Sequence, residues 1–441
     1  MAASFHFEYS IPFSPESSAE TLRAIPALPG VFALHGPRSE DQPYLTRAAD
    51  LRRRITRILA PPDSQSKRLN LRDRVARIDF TITGSEFEST LMLYHATASI
   101  FSIEEARRRL RLHTPFFLRF TAENAYPRVY STNRLSRRAL SHSYGPFPSR
   151  AAADRYCDAI LDLFKLRRCY EDLAPYPEHP GCVYGEMNKC LAPCNQACTP
   201  QGASAYAAEA AAVETFFATH GESLLTQLTA QREQASADLD FERAAQLHTH
   251  FLRVKATAAL ADTLIQPIPN LRAVIVQKTA QTSFLLSSRS GAEGSASPEP
   301  EPEPAASIFL LASGCITGPA RLVPAATTNP EPASDANSEA TPTLSPELRA
   351  ANLIASLEQQ PSTPPDLATL SDHLSLLRRW YYRPEKQRIG EVFFPREGAT
   401  DKPSWPIRRI LNAAARVSLG DPRPTPESHL HPPQSPVEPV H

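Results

Sequence analysis

Four of the seven cysteines in this 441-residue chain crowd into one short segment, which reads FKLRRC and then, ten residues on, PGCVYGEMNKCLAPC. Cys169, Cys182, Cys190 and Cys194 therefore stand at separations of 13, 8 and 4. The N-terminus has no apolar run of the kind that directs secretion, so the expected setting is cytoplasmic and a disulfide framework explains the cluster poorly. A bound metal or iron–sulfur cluster is the better expectation. Thiolates are soft ligands, and four of them suit zinc or an iron–sulfur centre equally well by spacing alone. The Cys190-Leu-Ala-Pro-Cys194 turn is compact, with Pro193 presetting its backbone. Cys169 has to fold back from the end of a preceding helix. Cys198 could serve as a spare ligand, whereas Cys157 and Cys315 read as small core residues.

The residues around the cysteines narrow the choice. Tyr144-Gly-Pro-Phe-Pro-Ser149, Leu166-Arg-Arg-Cys169 and Asn188-Lys-Cys-Leu-Ala-Pro-Cys194 follow one another in an order that closely resembles the UvrC family, the incision subunits of bacterial nucleotide excision repair. The resemblance covers most of residues 20 to 260. It implies that Cys169, Cys182, Cys190 and Cys194 hold a 4Fe–4S cluster, with zinc as the alternative.

Downstream, Leu228 to Thr257 carries apolar and alanine positions at helical spacing on both sides of a break at Asp238-Leu239-Asp240. This predicts a helical hairpin with Asp240 capping its second helix. Two short helices bury little alone, so such a hairpin tends to seek a partner. It resembles the UVR motif, which implies docking on a UvrB-like helicase subunit through Leu239, Phe241, Ala244, Ala245 and Leu247.

Upstream, Pro29-Gly-Val-Phe32, Tyr44-Leu-Thr46 and Asp50-Leu-Arg-Arg-Arg54 follow the order of the GIY-YIG nuclease fold. Such nucleases use a tyrosine to help activate water, an arginine to steady phosphate and a glutamate to hold one divalent metal. By resemblance, Tyr44 and Arg54 are the surviving catalytic remnants. Phe32 stands where the first tyrosine belongs, Thr46 replaces a glycine, Arg47 replaces a lysine and Ile58 replaces a second tyrosine. The glutamate falls on Leu93 or Tyr94, neither of which binds magnesium. Glu88, five residues before Leu93, lies roughly 140° off the required helix face. Mg²⁺ is thus expected only if the nuclease still works.

The formal net charge is zero, yet the charges are unevenly spread. Between residues 47 and 77 ten Arg or Lys face three acids, and Arg47, Arg52, Arg53 and Arg57 are the candidate DNA contacts. A second basic run holds Arg107, Arg108, Arg109, Arg111, Arg119, Arg128, Arg134, Arg137 and Arg138. Arginine suits bidentate phosphate contacts, which bind without reading sequence. Glu293, Glu299, Glu301 and Glu303 sit in an acidic Pro-rich stretch. Nothing suggests a membrane partner.

The 43 prolines concentrate late in the chain. Residues 292–306, 324–347 and 418–441 read as disordered linkers or tail. His429 and His431 in that tail read as solvated. Between the linkers, strands are expected over Leu271–Gln277, Ser283–Ser287, Ile308–Ser313 and Ile389–Phe394, and an amphipathic helix over Leu367–Tyr382. This order resembles the stretch that introduces the RNase H-like half of UvrC, whose catalytic core and helix-hairpin-helix repeats are not in the sequence.

The expected fold class is α+β multidomain. A degenerate GIY-YIG-like α/β domain spans 20–110. A linking region and helical cysteine module span 111–200, a helical region with the UVR hairpin at 225–257 spans 201–260, and an incomplete β-rich segment spans 261–417. The expected function is a UvrC-like, DNA-binding repair protein that docks on UvrB and does not itself incise. The alternatives are an active single-cut GIY-YIG endonuclease using Glu86 or Glu88, and a zinc-stapled interaction protein outside repair.

Overall fold

The computed structural model describes residues 5–38, 40–61, 69–171, 173–195, 202–280, 304–324, 344–359, 366–396 and 404–420. They form a mixed α and β architecture of three small four-stranded sheets, each covered by helices.

The first unit runs β1 (Tyr9–Pro12), α1 (Ser18–Ala24), β2 (Gly30–His35), β3 (Tyr44–Ala48), α2 (Leu51–Leu59), β4 (Arg77–Ile82), α3 (Glu86–Ile100) and α4 (Ile103–Leu110). Its antiparallel sheet has the order β1-β4-β2-β3. Side chains alternate across β2, so its two faces meet different helices. Phe32 and Leu34 pack with Leu51, Ile55, Ile58 and Leu59 of α2. Val31 and Ala33 face Met92, Leu93 and Ala96 of α3. Side-chain oxygens start both helices: Asp50 Oδ1 accepts from Arg53 N–H at 2.8 Å and Ser85 Oγ from Glu88 N–H at 3.1 Å. Gly30 is required where β2 passes between β4 and α2, because a Cβ there would lie 2.4 Å from the Thr81 carbonyl oxygen and 2.7 Å from Leu51 Cδ1.

The second unit runs β5 (Phe116–Phe120), β6 (Val129–Thr132), β7 (Ser143–Phe147), α5 (Arg150–Leu163), α6 (Val183–Glu186), α7 (Gly202–Ala218), α8 (Glu222–Ala237), α9 (Phe241–Ala258) and β8 (Gln266–Pro267). Its sheet has the order β6-β5-β7-β8. Phe120, Tyr144 and Phe147 meet Tyr156 and Ile160 of α5, Phe216 and Phe217 of α7, and Val254 of α9. The helix pair α8–α9 is thus anchored at its open end and projects its connecting turn outward.

The third unit comprises β9 (Arg272–Lys278), β10 (Ala306–Ala312), β11 (Cys315–Leu322), α10 (Pro346–Gln359), α11 (Leu367–Tyr381), β12 (Glu391–Phe393) and α12 (Ile407–Leu419). Its antiparallel sheet has the order β11-β10-β9-β12. Val274, Val276, Ile308 and Leu310 pack against α10 and α12. On the opposite face, Ala273, Ile275, Phe309 and Leu311 share one core with Leu370, Leu374, Leu377 and Trp380 of α11 and with Phe87, Leu91 and Tyr94 of α3. Phe117 of β5 joins the same core.

Several elements differ from the sequence expectation. In the third unit β11, α10 and α12 were not anticipated, and in the second the region expected to be a linking region and helical module also carries β5, β6 and β7 of a four-stranded sheet. The expected linker at 324–347 already starts α10 at Pro346, Ala306 of the 292–306 stretch begins β10, and α12 runs to Leu419, inside the expected tail. Leucine and alanine spaced at helical intervals in PELRAANLIASLEQ supply an apolar stripe that the surrounding Pro, Ser and Thr conceal. The Ser283–Ser287 strand, Cys198, the histidines of the tail and most of the expected linkers lie outside the described residues.

Polar contacts tie the units together. Asp372 of α11 is 1% exposed; it accepts from Tyr94 Oη at 3.1 Å and from Arg107 Nε at 2.8 Å. Arg383 forms a fork on Glu86, with contacts of 2.8 and 3.0 Å. Arg378 donates to the Pro148 carbonyl at 2.8 Å and Tyr381 Oη to Asp262 at 2.5 Å. Removing one partner of a buried carboxylate leaves it desolvated and unpaired. Arg107→Ala is expected to lower unfolding free energy by about 2 kcal/mol, and Asp372→Asn on that background to recover part of the loss; urea unfolding of the four-member mutant cycle measures both.

Candidate functional site

In the first unit the structure brings Tyr44 and Arg54 together. Arg54 Nη2 donates to Tyr44 Oη at 3.3 Å, and the rings of Phe32 and Tyr44 lie 6.3 Å apart on the same sheet face. Tyr44 also lines an open cleft of about 570 Å³ with Asp41, Arg74 and Arg109. The two positions that the resemblance assigns to a metal-binding glutamate do other work. Leu93 packs against Val31 and Ala33, and Tyr94 is buried with its hydroxyl on Asp372.

The nearby carboxylates are engaged as well. Glu86 accepts from Arg383 and, at 3.0 Å, from Arg47; the Arg383 bonds above all hold its carboxyl down at about 2. Glu88 is 6% exposed and accepts the Gly84 N–H at 2.9 Å. Burial pushes its pKa up to about 7, the Gly84 bond opposes this, and the charge of Glu8 adds to the rise.

The four candidate phosphate-binding arginines divide into two kinds. Arg47 is paired with Glu86, and Arg52 donates to the carbonyls of Ile25 at 2.6 Å and Arg23 at 3.2 Å. Arg53 and Arg57 are exposed on α2. A run of like charges does not reveal which members have local acceptors; the structure does.

The cysteine module hangs from the end of α5. Leu166 is fully buried, Arg167 N–H donates to Tyr206 Oη at 2.9 Å, and that hydroxyl donates to the Pro127 carbonyl at 2.7 Å. Leu191 N–H returns to the Lys165 carbonyl at 3.1 Å and Tyr176 N–H to that of Cys194 at 3.1 Å, which closes the loop on itself. Cys190 and Cys194 are buried, Cys169 and Cys182 half-buried. Burial first, and then the neighbouring Cys182, Cys169 and Cys194, push the Cys190 thiol up to about 11, against a 3.3 Å bond from Ala192 N–H. Arg167 Nη1 lies 3.8 Å from Cys169 Sγ. The four sulfurs are therefore electrostatic neighbours. Among the described residues, no three His, Cys, Asp or Glu side chains converge as they stand on one metal-ion position. As a donor set they fit a soft, positively charged centre, which would offset the mutual repulsion of four thiolates.

The hairpin turn completes the set. Asp240 Oδ1 accepts from Arg243 N–H at 3.0 Å, capping α9. Leu239 has a φ of 59°, in the left-handed region that a leucine seldom occupies. Leu239 is 72% exposed and Phe241 66%; Ala245 is exposed, Ala244 and Leu247 half-buried. Sequence reasoning missed Asp372 and Arg383 because their partners lie 265 to 297 residues away. It named Arg128 only as one of a basic run, whereas Arg128 Nη1 donates to the Cys169 carbonyl at 3.1 Å.

A sheet with helices on both faces, a cysteine-bearing loop and a projecting two-helix motif make up a multidomain protein of mixed α and β class. Residues 116–216 match the UvrC/Cho excinuclease middle domain, and residues 222–249 match the UvrB/uvrC motif. Through this region the chain is related to the UvrC family. It is 29% identical over 245 residues to the UvrABC system protein C of Idiomarina loihiensis, covering 54% of this chain and 37% of that protein. The protein of the same name in Desulforudis audaxviator is 27% identical over 246 residues, covering 55% of this chain and 38% of the relative. The matched region thus spans well under half the length of these relatives. No solved structure matches. Among the described residues, no helix is long and apolar enough to cross a membrane.

The buried Glu88 gives a test of this geometry. Its pKa is raised on folding, so the folded state holds a proton that the unfolded chain releases between about pH 4.5 and 7. The cost of ionising Glu88 therefore appears as pH rises through that window. Glu88→Gln is expected to be nearly neutral at pH 4 and stabilising by on the order of 2 kcal/mol at pH 8, as measured by urea unfolding at both values.

Proposed function

We propose that this protein is a DNA-binding subunit of nucleotide excision repair that docks on a UvrB-like helicase subunit through the α8–α9 turn and does not incise DNA itself. The observation that carries the docking reading is the turn. An exposed leucine held at positive φ, followed two residues later by an exposed phenylalanine, is costly in conformation and in solvation unless a partner covers it. The match to the UvrB/uvrC motif supports the same surface.

The non-incising part rests on the first unit. Tyr44 and Arg54 remain paired, but Phe32 has no hydroxyl, Leu93 and Tyr94 are committed to packing, and the two nearby glutamates are committed to Arg383, Arg47 and the Gly84 N–H. Among the described residues the carboxylate that shares the Tyr44 cleft is Asp41, which comes from the turn between β2 and β3 and not from α3, where the resemblance places the metal ligand. Exposed Arg53 and Arg57 supply phosphate contacts. Phe241→Asp places an unpaired charge in an apolar contact; it is expected to weaken binding to the helicase subunit by about 2 kcal/mol, roughly thirtyfold in Kd. Unchanged affinity in calorimetric titration overturns the docking claim. Damaged plasmid with that subunit and Mg²⁺ should stay unnicked; nicking abolished by Glu88→Ala would replace this reading with that of a single-cut endonuclease.

Cys169, Cys182, Cys190 and Cys194 are proposed to hold a 4Fe–4S cluster that braces the loop. In such a cluster each thiolate bonds a different iron, so the sulfurs must be neighbours without meeting at one point, whereas zinc draws all four to about 2.3 Å from a single ion. Four thiols gathered around the buried Cys190 suit either centre, and the likeness of this segment to the UvrC/Cho middle domain is what favours the cluster. Anaerobically purified protein is expected to show broad absorbance at about 400 nm with bound iron and sulfide, lost in Cys190→Ser. Colourless protein containing zinc overturns the assignment.

A further inference from the structure

Beside the cysteine loop, Tyr170 stands 74% exposed immediately after Cys169. Its ring meets Tyr130 edge-on, with centroids 6.5 Å apart at 66°. The guanidinium of Arg128 lies 4.7 Å from the centroids of both rings, and its Nη1 donates to the Cys169 carbonyl. Arg128 therefore props the Tyr170 ring in place rather than leaving it free to collapse on the surface. Tyr130 also forms one wall of an open cleft of about 600 Å³ that Arg134 and Arg138 line. Among the described residues the one acid on that cleft, Glu123, is paired with Arg119. Arg134 and Arg138 are exposed and have no acidic partner among the described residues.

We propose that this face binds single-stranded polynucleotide, with an unpaired base stacking on Tyr170 and the adjoining phosphates on Arg134 and Arg138. The proposal rests on the DNA-binding reading above and specifies which form of nucleic acid this surface takes. A flat, exposed aromatic ring fixed by a cation offers a π-face to any base, and the unpaired positive charge next to it matches a phosphate backbone. A duplex keeps its bases stacked on one another, so only its phosphates could engage.

Fluorescence anisotropy of the full chain with a labelled oligothymidine and with a blunt duplex of equal length tests this at fixed salt. Tyr170→Ala is expected to weaken single-strand binding about tenfold and leave duplex binding unchanged, while Tyr170→Phe retains both. Arg134→Ala with Arg138→Ala is expected to weaken both and to reduce the single-strand slope of log K against log salt by about 1.4, at roughly 0.7 per cation lost. Parent-like single-strand affinity in Tyr170→Ala overturns the proposal, as does an equal loss on the duplex. If Tyr170→Ala weakens only docking on the helicase subunit, the surface belongs to a protein partner and the proposal falls. A parent chain that binds neither oligonucleotide overturns the DNA-binding reading itself, which separates the two failures.

Discussion

Asp372 sits at 1% exposure in the middle of α11, and it is tolerated there because Tyr94 and Arg107 reach it from another unit. An unpaired carboxylate at that depth would cost several kcal/mol. Desolvation still outweighs the help of Arg107, since the Asp372 pKa remains raised. The charge thus makes burial of α11 conditional on α3 and α4. Hydrophobic contact supplies the attraction between these helices, and the buried charge restricts which surfaces can meet.

From that contact the rest of the arrangement follows. α11 carries Leu374 and Leu377 into the third sheet and places Arg378, Tyr381 and Tyr382 against the middle unit, where they bond Pro148, Asp262 and Pro146. The three sheets are thereby braced around one helix. Two features stand clear of this scaffold: the α8–α9 turn and the cysteine loop. Both have short-range hydrogen bonds that fix their shape and large apolar side chains left in solvent, namely Leu239 and Phe241 on one, Tyr170, Val183 and Met187 on the other. A rigid body that presents preshaped, incompletely covered loops loses little conformational freedom on binding.

The sequence made much of this legible where periodicity and capping coincide. The α11 stripe, the hairpin and its Asp240 cap can all be read locally, because each depends on residues within a few positions. The third unit was harder. β11 contains Gly318-Pro319, which normally argues against a strand, but β11 is the edge strand of its sheet and an edge tolerates a residue without an N–H. Charge reading failed in a different way. The arginine run over α2 looks uniform, yet Arg52 caps the carbonyls of Ile25 and Arg23 while Arg53 and Arg57 are exposed. Which arginine is available depends on acceptors donated by a separate helix end. The cysteines were found by spacing, whereas Arg128, which ties Cys169 to the second sheet, had no local signal.

The α3 helix explains why a glutamate is missing where the nuclease resemblance asks for one. In an isolated two-layer domain one side of α3 would face solvent and could carry a metal ligand toward a cleft. Here α3 is covered on both sides: Leu93 faces Val31 and Ala33 of its own sheet, and Tyr94 faces α11. A carboxylate at position 93 would lie in that apolar layer, and one at 94 would meet Asp372, placing two like charges together with one arginine between them. Tyrosine satisfies the site because its hydroxyl donates to Asp372 and its ring fills the shared core. At position 94, docking of α11 and retention of a metal-binding glutamate on α3 are therefore competing uses of the same surface. The packing that unites the three sheets is the physical reason the proposed role lies in binding rather than in cutting.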